Sequence, residues 1–150
     1  MPGDGGSVYT RTKSLMARGS AFLGSEWAIL CGAMSWVSER NLVSAISNAG
    51  GFGVIACGAM TPDLLDGEIA GTKTLTQKPF GVNLITMHPQ LFELIDVCAK
   101  HAVGHVVLAG GIPPKGSVEA IKQSGAKVIC FAPTLALGKK LLRSGADALV

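Results

Sequence analysis

The sequence predicts an α/β fold in which parallel strands alternate with covering helices, and three observations predict it. Short apolar runs recur at residues 28–31, 53–57, 80–85, 105–109, 127–131 and 146–150. They are mostly continuous, as in Val106-Val107-Leu108 and Val128-Ile129-Cys130, which suits strands covered on both faces. Each run but the last leads through small residues into a segment of helical period. Finally, two short repeats fall at equivalent places. Cys31-Gly32-Ala33-Met34 returns as Cys57-Gly58-Ala59-Met60, and Ser124-Gly125-Ala126 returns as Ser144-Gly145-Ala146.

The elements follow in order. Residues 1–27 read as a short flexible tip and a helix lying against the body; Arg18 and Gly19 interrupt their apolar residues, so no signal-peptide core is present. Ser38 is placed to cap the next helix, whose apolar positions are Leu42, Ile46 and Ala49. Thr61-Pro62-Asp63 opens another with a cap, a proline in the first turn and an acid near the positive end of the dipole. Leu91, Leu94, Ile95 and Cys98 share one face of a third helix; Val118 and Ile121, then Leu137, Leu141 and Leu142, mark two more. Gly50, Gly125 and Gly145 stand where helices stop.

Strict alternation leaves an open doubly wound sheet or a closed eight-stranded barrel. Length favours the first, since a barrel usually needs about 200 residues or more. The end favours the second, because Asp147-Ala148-Leu149-Val150 is a strand with no helix after it, which reads as truncation. The expectation is a TIM (β/α)8 barrel truncated to about six strands and five intervening helices, occupying residues 28–150. Two open sheet edges would favour aggregation or pairing with a second copy, a homo-oligomer.

Composition narrows the function. Hydrophobic residues make up 48% and charged residues 15%, which excludes a disordered chain. A net charge of +3 without a basic stripe argues against nucleic acid. No apolar run is long enough to span a membrane. Cys31, Cys57, Cys98 and Cys130 form no CxxC pair and have no histidine at metal spacing. They read as free thiols of a reducing, cytoplasmic setting, with no metal site.

In either fold, ligands sit at the C-terminal ends of the strands. Those ends are Gly32-Ala33-Met34, Gly58-Ala59-Met60, the segment from Asn83 to His88, Gly110-Gly111 and Ala132-Pro133-Thr134. Small residues there let a flat ligand approach the backbone, or simply make tight turns. Asn83, inside Val82-Asn83-Leu84, is an amide that needs a partner once buried; a ligand is a natural one, and a satisfied core or loop-anchoring residue is the alternative. His88 reads as a cap of the following helix or a solvent-facing residue, with substrate contact as the alternative. Met34, Met60, Met87 and Trp36 form either an apolar wall for substrate or loop packing. Gly50-Gly51-Phe52-Gly53 precedes a strand and is no phosphate loop.

Three motifs carry a resemblance: Gly32-Ala33-Met34-Ser35-Trp36-Val37, the segment from Ala45 through Gly50-Gly51-Phe52-Gly53 to Ile55, and Lys78-Pro79-Phe80-Gly81-Val82-Asn83-Leu84. Together they resemble the nitronate monooxygenase (2-nitropropane dioxygenase) family, which shares them with flavin-dependent enoyl-[acyl-carrier-protein] reductases. The resemblance implies an FMN-binding barrel that oxidises alkyl nitronates with O2. It places the backbone of Gly32, Ala33 and Met34 against the flavin ring and Asn83 on its polar edge or ribityl chain. Gly110 and Gly111 are weaker cofactor candidates, and Trp36 and His88 weak substrate candidates.

The family's catalytic His follows the sixth strand, so none is expected within residues 1–150; His88, His101 and His105 do not occupy that place. Gly111-Ile112-Pro113 replaces the Gly-Asn-Pro of many relatives, and Cys130-Phe131-Ala132-Pro133 lacks the Lys of some. Both departures lean toward the reductases, whose NAD(P)H-dependent chemistry is the alternative reading. A non-catalytic doubly wound binding domain is the alternative of another class.

Overall fold

The computed structural model describes residues 5–150; the tip expected ahead of the first helix falls outside the described residues. Six helices and five strands follow in the order α1 (Gly5–Leu23), α2 (Arg40–Asn48), β1 (Gly53–Ala56), α3 (Pro62–Leu75), β2 (Phe80–Ile85), α4 (Leu91–Lys100), β3 (His105–Ala109), α5 (Ser117–Gln123), β4 (Lys127–Cys130), α6 (Leu135–Arg143) and β5 (Ala148–Leu149). All strand pairs are parallel, and the sheet order is β1-β2-β3-β4-β5. A doubly wound sheet reverses its strand order at a switch point, whereas this one never does. It is a stretch of barrel wall.

Five strands replace the expected six, because the segment at 28–31 makes only a single parallel bridge, from Leu30 to Phe52 just ahead of β1. Phe52 N–H donates to Ile29 O and Cys31 N–H to Phe52 O, both at 2.9 Å. The chain then turns away, and Ala56 N–H finds Ser38 O instead. The first strand position is therefore occupied but too short to be a strand.

Thr61, Pro62 and Asp63 open α3 as expected, with Thr61 Oγ1 accepting from Leu64 N–H. The four apolar positions of α4 are buried, and Gly50, Gly125 and Gly145 end their helices at positive φ. On α2 the expectation is corrected twice. Glu39, not Ser38, is its N-cap, accepting from Asn41 N–H and Leu42 N–H. Its core face is Val43, Ser44 and Ser47, while Leu42 and Ile46 are half-buried and Ala49 is exposed. Ser47 can face inward because its hydroxyl donates to Pro79 O and accepts from Gly53 N–H, tying α2 to two strands.

The outer face of the sheet meets the helices through Ile55, Val82, Leu84, Val106, Leu108 and Val128. The inner face carries Phe52, Val54, Val107 and Ile129, together with Leu23 of α1. Phe52 plugs the N-terminal end of the wall. Gly81 leaves room for it, since a Cβ there would lie 3.0 Å from the Phe52 ring. Cys57, Cys98 and Cys130 are buried free thiols, pushed up to about 11, 12 and 11 by desolvation, and so stay protonated.

The end of α1 closes the same opening. The Phe22 carbonyl, left orphaned at the helix terminus, accepts from His105 Nε2 at 2.8 Å and Lys127 Nζ at 2.6 Å. The His105 ring packs edge-on against Phe22 and Phe52. Burial holds the His105 pKa below its usual value of 6.5. A neutral imidazole in the fold and a protonatable one in the unfolded chain mean stability is full above about pH 6.5 and falls as pH drops through the folded value. Melting temperatures between pH 7 and 5 should decline more steeply in the parent than in His105→Gln, and equal slopes would refute the assignment.

Candidate functional site

At the C-terminal ends of the strands, the loop after Cys31 is built around Ser38. Its hydroxyl accepts from Met34 N–H at 3.0 Å and donates to Gly32 O at 3.2 Å, and its own N–H donates to Met34 O at 2.8 Å. Ser38 is buried, so the helix cap expected of it is replaced by a loop anchor. The result presents Gly32, Ala33 and Met34 as an open ledge. Nothing lies within 4 Å of where a Gly32 Cβ would stand, Met34 is half-exposed, and Ala33 packs on the inner cluster.

Asn83 lies on the inner face of β2. Register places Ala56, Asn83, Val107, Ile129 and Ala148 in one row across the sheet, all pointing to one side. Asn83 is only 6% exposed, and its backbone carbonyl accepts from Cys57 N–H. Its side-chain amide has no hydrogen-bond partner among the described residues. An amide without a protein partner in an otherwise apolar row is a candidate ligand-facing group.

Gly110 and Gly111 follow β3 with φ of +100° and +114°. Nothing stands within 4 Å of a Gly111 Cβ, while one at Gly110 would meet Thr86 Oγ1 at 3.2 Å. That hydroxyl is enclosed and unpartnered, a feature sequence reasoning passed over because a threonine after a strand carries no distinguishing signal. Trp36, Val37 and Met87 stand exposed at the same end. Met60 does not join them: it is buried in the core on the helix side, so for it the loop-packing reading holds.

The three histidines are all otherwise engaged. His88 Nδ1 accepts from Gln90 N–H at 3.1 Å, securing the approach to α4. His101 Nε2 lies 2.9 Å from Asp66 on the outer surface, and His105 is in the plug at the opposite end of the strands. The outer surface also holds a cavity of about 550 Å3 between α3 and α4, lined by Asp63, Asp66, Asp96 and Lys100. Lys100 donates to Asp66 at 2.6 Å, and these two hydrogen bonds, from Lys100 and His101, hold the Asp66 carboxyl below its ordinary pKa. That is an ion-pair cluster, remote from the strand ends.

The sequence model of the nitronate monooxygenase family matches residues 17–132, a span holding the ledge, Asn83 and Gly110-Gly111. The chain belongs to the nitronate monooxygenase family. Among solved structures, FabK from Thermotoga maritima is 38% identical with a TM-score of 0.83, over 88% of this chain and 42% of that one. Nitroalkane oxidase from Streptomyces ansochromogenes is 25% identical with a TM-score of 0.74, over 81% of this chain and 44% of that one. Among curated proteins, (3aS,4S,5R,7aS)-5-hydroxy-7a-methyl-1-oxo-octahydro-1H-indene-4-carboxyl-CoA dehydrogenase of Mycobacterium tuberculosis is 33% identical over 129 residues, 85% of this chain. This member of the nitronate monooxygenase family spans about 36% of that relative's length.

Proposed function

We propose that this chain forms the flavin-facing wall of an FMN-dependent oxidoreductase whose complete form oxidises alkyl nitronates with O2. The observation that carries the reading is Asn83, an amide without a protein partner in the inner row beside the open backbone at Gly32. The residues fit the group. A planar ring can approach the backbone of Gly32, Ala33 and Met34, and Asn83 offers donors and an acceptor to its polar edge. FMN, when bound, would supply a reversible electron acceptor. The chain's own part is to hold and orient the ring and, through Val107 and Ile129, to keep water from its underside. Gly111, with open space where a Cβ would stand, leaves room along the same rim.

No residue of this chain is assigned a proton-transfer role, in keeping with the engagement of all three histidines. A second reading, reduction or oxidation of a thioester substrate, is favoured by the 38% identity to FabK and by the carboxyl-CoA dehydrogenase relative. The two readings separate in one experiment on the full-length, flavin-loaded protein under anaerobic conditions. Bleaching of the flavin by butyl nitronate but not by NADH would support the nitronate reading. Bleaching by NADH alone would overturn it in favour of the thioester one.

A further inference from the structure

Trp36 combines two features that a folded chain normally avoids. Its φ is +63°, a left-handed conformation that a bulky L-residue rarely adopts, and its side chain is 72% exposed. Among the described residues only one other non-glycine has positive φ, Ala102. That residue lies just past His101, the C-cap of α4, where helix termination commonly calls for the conformation. No helix ends at Trp36. Its turn is instead fixed from both sides, by Val37 and Ser38 N–H groups donating to Met34 O and by the Ser38 hydroxyl on Met34 and Gly32.

The strained turn therefore does not bury the indole; it displays it. Met34 and Val37 on the same turn are 48% and 53% exposed, and Met87, on the turn after β2 at the same end, is 78% exposed. These exposed apolar groups share the C-terminal end of the strands with Gly32 and Asn83. Backbone strain that is not used for packing concentrates where a ligand is held.

We propose that Trp36 determines specificity: its indole is the apolar wall against which an extended alkyl or acyl chain of the substrate lies. The proposal rests on the reading of the strand ends as the flavin side, and names the substrate class as chain-bearing rather than small and polar. In the full-length, flavin-loaded enzyme, kcat/KM on an ethyl-to-octyl nitronate series should rise about two- to fourfold per methylene. Trp36→Gly should flatten that slope and lose about tenfold or more on octyl nitronate. Its melting temperature should hold or rise, because glycine accepts the positive φ without strain. Trp36→Phe should keep the slope.

A second measurement needs no turnover. Trp27→Phe leaves Trp36 as the lone tryptophan, since the sequence has two. Its emission should shift to the blue with octyl nitronate, or with octanoyl-CoA more than with acetyl-CoA. A slope retained in Trp36→Gly, with no emission change for any of these ligands, would overturn the proposal while leaving nitronate oxidation intact. An emission shift with octanoyl-CoA and no nitronate turnover would uphold it and sink the nitronate reading.

Discussion

Replacing Gly53 with alanine is expected to lower the melting temperature by about 10 °C, although the change adds a single methyl group. A Cβ at that position would stand 2.9 Å from both the carbonyl carbon and the Cα of Val43, and closer still to Val43 O. Those are backbone atoms of α2 and cannot rotate aside. Overpacking of this kind costs about 3 kcal/mol, and each kcal/mol moves a domain of this size by roughly 2–4 °C. The loss would spread, because α2 is also tied to the sheet through Ser47. Gly67→Ala is the matched control. It lies within α3 with nothing within 4 Å of its Cβ, so the same chemical change should raise the melting temperature by about 2–4 °C through helix propensity. Two thermal melts decide it; equal shifts for both variants would contradict the packing described.

Asn83→Leu is expected to have the opposite signature. The amide has no partner within the described residues, so its loss removes nothing from the apo fold and eases the burial of a polar group in an apolar row. The apo melting temperature should stay level or rise. Hydrogen bonds to a bound ligand would be lost, weakening FMN by about 10- to 100-fold, the range for one or two hydrogen bonds in a desolvated site. Flavin fluorescence titration, paired with an apo melt, reads both effects. A falling apo melting temperature with FMN affinity intact would make Asn83 a structural residue.

These two residues show what the sequence could and could not reveal. Both lie in motifs that carry the family resemblance, yet Gly53 belongs to packing and Asn83 to the proposed ligand face. Periodicity found the strands and helices because apolar runs and glycine stops are local signals. It misplaced the face of α2 because Ser47 faces inward on hydrogen bonds to Pro79 and Gly53, partners that no local pattern contains. It named Ser38 as a cap because serine before a helix usually is one; only the folded loop turns that hydroxyl toward Gly32 and Met34. The segment at 28–31 has strand composition, but the number of pairs a strand makes depends on where its neighbour leads.

The order of the sheet has a consequence for how the chain reaches this structure. Each strand pairs with the next one in sequence, so every βα unit can dock on a unit already made, as residues leave the ribosome. Closing such short spans loses little chain entropy, which favours rapid, stepwise assembly. The plug is the exception. Phe22 meets His105 across 83 positions and Lys127 across 105, so α1, made before either strand, must wait for β3 and β4 before its terminus is secured. The terminus of α1 is thus secured only by strands that follow it in the chain.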